Sequence, residues 1–176
     1  MAKNYVNNKT LFEVMSKYCG EYHHNKLNGI EAPRIPNYIG EALYLIATRL
    51  ANKPNFSGYT YKDEMIGDGI ENCLMYLHNF NPERTNNPFA YFTQIIKFAF
   101  IRRIEKERKQ QYIRIKSLSS VEAELENNGE NHIKRLPSND SHDEFIRSYE
   151  KKLSDKKKPA IVPLNNVSEF FNEGSK

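Results

Sequence analysis

Tryptophan is absent from the chain, cysteine occurs twice in 176 residues, and no apolar run approaches the ~18 residues that a membrane span requires. Cys19 and Cys73 lie far apart, each inside a helix-like pattern, with no His or Cys at metal-ligand spacing. They predict reduced core thiols of a cytosolic protein and exclude a disulfide framework. His23 and His24 fall together near a helix end, while His78, His132 and His142 stand alone, so no metal site is expected. The segment MAKNYVNNKT has no apolar signal core. With the missing span, that predicts a soluble, cytoplasmic protein with no membrane partner. No paired nucleophile and base and no phosphate-cradling glycine loop can be found, and the expectation is a protein that is not an enzyme and holds no cofactor. A mean hydropathy of −0.75 is low for a fully packed chain of this length, so part of it is expected to lie outside the core.

What is present is concentrated between Asn87 and Lys116. Asn87 is placed to cap a helix, Pro88 suits its first position, and neither glycine nor proline follows through Gln111. Phe89, Phe92, Ile96, Ala99, Phe100 and Ile104 form one core-facing stripe. Tyr91, Gln94, Ile95, Phe98 and Ile101 form a second stripe on another face, which something else must cover. The later part of the segment is basic: Lys97, Arg102, Arg103, Lys106, Arg108, Lys109, Arg114 and Lys116 stand against Glu105 and Glu107 alone. The segment carries net +6 in a chain of net +4, so the remainder sums to −2. Aromatics followed by cations on one helix suit a nucleic-acid strand, with bases stacked on rings and phosphates held by charge. A long buried helix with a solvated end has the same composition.

Earlier in the chain, Leu11, Phe12, Met15, Cys19 and Tyr22 predict a helix from Asn8 or Lys9 to about His23, weakened at Gly20. Pro33 and Pro36 keep the following loop irregular. Ile39, Leu43, Ile46, Ala47 and Leu50 predict a second helix over Tyr38–Lys53, stopped by Pro54. Thr60 with Asp63 reads as a capping box for a third helix to about Asn79, with a core stripe of Ile66, Ile70, Cys73, Leu74 and Leu77. Its opposite face carries Asp68, Glu71, Asn72 and Met75, placed to meet a basic helical partner around an adaptable Met, or else simply wet. Gly67 and Gly69 inside this helix point to close approach of another backbone.

After Lys116 the chain turns polar, including KKLSDKKKP, and 117–163 reads as a linker, partly disordered or in short helices started at Ser119/Glu122 and Ser141/Glu144. Val167, Phe170 and Phe171 restore hydrophobes at 164–176, as a docking peptide or as an apron on the domain. The expected divisions are thus 1–37, 38–116, 117–163 and 164–176.

The strings LYLIATRLA, EMIGDG and PFAYFTQIIKFAFIRRI, in that order over about residues 38–115, resemble domain 2 of bacterial sigma factors. NYVNNK, NFSGYT, the KERK run and a C-terminal VSEFF resemble more narrowly the late-transcription sigma factors of T-even-type tailed phages. The resemblance implies an all-α, sigma domain 2-like bundle that binds the host RNA polymerase core, melts an AT-rich minus-ten-type promoter element and couples initiation to the phage sliding clamp. By that likeness Asp68, Glu71, Asn72 and Met75 would grip the clamp helices of the polymerase largest subunit. Tyr91 would stack on a flipped adenine. Lys97, Phe98, Ile101 and Arg102 would meet the melted element and its upstream edge, with Arg103, Lys106 and Lys109 as further DNA contacts. Val167, Phe170 and Phe171 would bind the clamp, and a phage late-transcription coactivator completes the expected partners. The family's two adjacent tryptophans are missing, with Gln94 and Ile95 in their place. The rival expectation is a helical interaction protein that regulates polymerase or clamp without touching DNA.

Overall fold

The computed structural model describes residues 5–127 and 140–157, and every regular element among them is helical. The order is α1 (Asn8–Leu27), α2 (Asn37–Ala51), the single turn α3 (Pro54–Ser57), α4 (Lys62–Met75), a 3₁₀ turn (Leu77–Asn79), α5 (Pro88–Asn127) and α6 (Asp140–Lys157). The all-α expectation is met. Two compact units divide between Arg108 and Lys109, within α5.

The first unit is built on α1, α2, α4 and the beginning of α5. Asn7 caps α1 by accepting from the backbone N–H groups of Lys9 and Thr10. The helix passes through Gly20 without a break and runs one turn beyond His23. Its Leu11, Met15, Tyr18 and Cys19 are buried in the same cluster as Ile39, Leu43, Ile46, Ala47 and Leu50 of α2. The expected boundary at 37/38 therefore does not exist; the N-terminal helix is part of the core. All five apolar positions named for α2 are buried. Pro54 stops that helix and at once opens α3, where a missing N–H costs nothing.

In α4 the expected stripe is rotated by one position. Met65, Gly69 and Cys73 are buried, Ile66 and Ile70 pack at the edge, and Leu74 is exposed. The Thr60/Asp63 capping box is not made either: Tyr61 stands at the cap with no side-chain bond. Gly69 explains the rotation. An added Cβ there would lie 3.0 Å from Ile96 Cγ2 and 3.1 Å from Phe100 Cε1, so the smallest residue lets α5 press onto α4. Gly67 faces open space, and close approach accounts for only one of the two glycines.

At the start of α5, Asn87 Oδ1 accepts from Ala90 N at 3.0 Å, as expected of a cap. Asn8 Oδ1, from α1, accepts from Phe89 N at 3.1 Å and ties the two helix starts together. Phe92, Ile96, Ala99 and Phe100 are buried, with Phe89 and Ile104 half-buried beside them.

The second unit is helical over its described residues, with one helix opening within a residue of the expected Ser141/Glu144 start. With no glycine or proline to stop it, α5 continues to Asn127. Ser119 and Ser120 start nothing, because their hydroxyls bond back to the carbonyl of Lys116. The later segment forms the 18-residue helix α6. Tyr112 stacks on Tyr149 at 4.7 Å and Phe145 stacks beside it. The Tyr112 hydroxyl donates to Glu150 at 2.8 Å and accepts from Lys116, which also pairs with Glu150 at 2.9 Å. Enough aromatic area exists here to organise two helices, which a count of apolar residues alone does not reveal.

Candidate functional site

The second stripe of α5 divides into two parts. Gln94, Phe98 and Ile101 are exposed, Phe98 at 50%, and Lys97 of the basic run is exposed beside them, so the four recur at i, i+3, i+4 and i+7. Tyr91 and Ile95 instead turn toward the domain and pack against the core. Large apolar side chains on the outward face of a helix anchored by a full core stripe make a rigid surface, and Lys97 puts a cation within it.

Tyr91 is corrected from an outward platform to an edge of the core. Its ring meets Phe80 at 5.4 Å and Phe92 at 5.2 Å, both edge-on. Its hydroxyl donates to the Tyr76 carbonyl at 3.1 Å. Burial raises the phenol above its ordinary pKa, helped by the nearby Cys73 and Cys19 thiols. Much of its ring is committed to packing before any base could reach it.

The α4 face is also corrected. Asp68, expected to be exposed, is half-buried, because Arg103 of α5 takes both of its oxygens, Nε to Oδ2 at 2.6 Å and Nη2 to Oδ1 at 2.7 Å. Arg103 Nη1 also donates to Glu107 at 3.3 Å. The Asp68 bond raises the guanidinium further above its ordinary value; desolvation opposes this and Glu107 adds to it. Asn72 donates to the Asp68 backbone carbonyl at 2.7 Å and accepts from Arg102 Nη2 at 2.6 Å. Two of the four residues on the expected partner face thus meet the chain's own basic helix. Glu71 and Met75 stay exposed, and Leu74, expected in the core, joins them at i+3 from Glu71. The exposed residues in the C-terminal half of α4 are therefore Glu71, Leu74 and Met75.

Sequence reasoning missed the two cross-helix pairs. The signal was an acid and an amide one turn apart on α4 and two adjacent arginines on α5, but pairing between helices 30 or more residues apart cannot be read without their register. Lys106 is exposed in the first unit, and Lys109 is exposed in the second. Val167, Phe170 and Phe171 lie outside the described residues. Cys19 and Cys73 are buried free thiols, donating weakly to the carbonyls of Leu77 and Phe92. Burial pushes the Cys73 thiol up to about 12. Among the described residues, no helix is long and apolar enough to cross a membrane. No protein-family model and no curated protein matches this chain.

Proposed function

We propose that this protein is a non-enzymatic, sigma-type specificity subunit that joins a bacterial RNA polymerase core to an AT-rich late promoter. The observation that carries the reading is the exposed Gln94–Lys97–Phe98–Ile101 face of α5, apolar and cationic on a helix whose other side is fully anchored. Apolar side chains there would contact thymine methyls or an unstacked base, and Lys97 with Lys106 would meet phosphates. Glu71, Leu74 and Met75 on α4 offer a mixed acidic and apolar surface to a basic helical partner, as the clamp helices of the polymerase largest subunit would be. Residues 164–176, with Val167, Phe170 and Phe171, would tether the assembly to the sliding clamp and raise its effective concentration at the promoter. A late-transcription coactivator would act through the same assembly.

A second reading is favoured by Tyr91, whose ring serves packing: a helical protein that regulates polymerase or clamp without DNA contact. The two readings part in a transcription assay with bacterial core polymerase, this protein and an AT-rich late-type promoter. Specific initiation without any other sigma factor is the expected result, reduced by Lys97→Ala and Phe98→Ala. Polymerase binding without initiation selects the second reading.

A further inference from the structure

We infer that Arg103 is a positioning residue that clasps α4 to α5, and that it holds no DNA phosphate. The inference rests on the promoter-binding reading and separates Arg103 from the neighbouring cations of α5. Of the five N–H donors that a guanidinium carries, those on Nε and Nη2 are directed to the two oxygens of Asp68, and Nη1 donates to Glu107. The side chain is 19% exposed. Its position follows Ala99 by four residues and Ile96 by seven, which are both buried, so helical geometry aims it along the α4 side of α5. To reach a phosphate it would have to leave two carboxylates at once, and those carboxylates already offset its charge.

The helix it holds needs such a tie. α4 has 14 residues and contains two glycines, each of which weakens a helix. Its contact with α5 at Gly69 is close but purely apolar. The Arg103–Asp68 fork fixes register and angle there, and the Arg102–Asn72 bond lies beside it. The consequence is coupling. Glu71, Leu74 and Met75 on α4 and Gln94, Lys97, Phe98 and Ile101 on α5 are presented as one body, so polymerase engaged on one helix sets where the other meets DNA.

The test measures promoter binding by the complete polymerase–protein complex as a function of salt. Each lost phosphate contact should lower the slope of log K against log salt by about 0.9. Lys97→Ala is expected to show that loss. Arg103→Gln and Arg103→Lys are both expected to keep the wild-type slope while slowing open-complex formation to a similar extent, because lysine retains the charge but cannot make the fork. The exchange Asp68→Arg with Arg103→Asp should recover part of the lost rate. A slope lowered in Arg103→Gln and retained in Arg103→Lys would identify a phosphate contact and overturn the inference, as would an exchange no better than Asp68→Arg alone. Urea unfolding of each variant separates a failed fold from a failed clasp, and if Arg103→Gln does not fold, the open-complex rate of Arg103→Lys decides: slowed for a clasp, near wild type for a phosphate contact. Absence of promoter binding by the wild-type complex instead defeats the functional reading and takes the inference with it.

Discussion

Gly67 and Gly69 stand two residues apart in one helix and should respond oppositely to the same substitution. Alanine at either position relieves the backbone entropy of a mid-helix glycine, a gain of roughly 0.5–1 kcal/mol. At Gly67 nothing lies within 4 Å of the new Cβ, so Gly67→Ala should keep the whole gain. At Gly69 the Cβ would sit 3.0 Å from Ile96 Cγ2 and 3.1 Å from Phe100 Cε1. Both neighbours are fully buried, and Phe100 is held in turn by the ring of Phe56 at 5.3 Å. Neither can retreat without disturbing the centre of the core, and overpacking of that kind costs about 1–3 kcal/mol. Gly69→Ala should therefore be neutral to destabilising by ~2 kcal/mol, leaving the two variants about 1–3 kcal/mol apart. For a unit of this size that gap corresponds to roughly 4 °C or more in Tm. Urea and thermal unfolding followed by circular dichroism would measure it. If Gly69→Ala stabilises as much as Gly67→Ala, α5 is not seated on α4 through Gly69, and the clasp at Asp68 loses its setting.

Tyr91→Phe should cost about 1 kcal/mol by removing the bond to the Tyr76 carbonyl. Tyr91→Ala should cost ~2–4 kcal/mol by emptying a place at the core edge; unfolding curves that match wild type would return Tyr91 to the outer face. With its thiol pushed up to about 12 and its side chain buried, Cys73 should react with a thiol reagent at pH 8 only after denaturant is added. Rapid labelling of the native protein at that residue refutes the burial. Lys116, and after it Tyr112, hold the Glu150 carboxylate below its ordinary pKa. The stabilisation this gives the second unit is complete above the ordinary carboxylate range and is lost as pH falls through the lowered, folded-state value. A carboxyl-carbon NMR titration should find Glu150 low in wild type and moved back toward an ordinary glutamate in Lys116→Gln; an unmoved titration would count against the network.

The sequence by itself determined the elements of the first unit. Period-3.6 apolar positions located α1, α2 and the beginning of α5, and Asn87–Pro88 marked a helix start that the structure uses, because these signals act over one or two turns and need no partner. The exposed members of the candidate face, Gln94, Lys97, Phe98 and Ile101, were likewise legible as positions outside the core stripe. Tertiary structure alone decided the facing of α4. Its stripe carries Ile, Leu and Met on several sides, and only the seat of Gly69 against Ile96 and Phe100 chose among them, turning Leu74 outward and Asp68 toward Arg103. It also decided that Tyr91 packs, since Phe80, eleven residues earlier and across the turn before α5, meets its ring at 5.4 Å. How the far part of α5 pairs with α6 depended on Tyr112 meeting Tyr149 and Glu150 across a sequence separation of nearly 40 residues. Local patterns fix where a helix can form; which of its faces is buried depends on side chains that only the folded chain brings together.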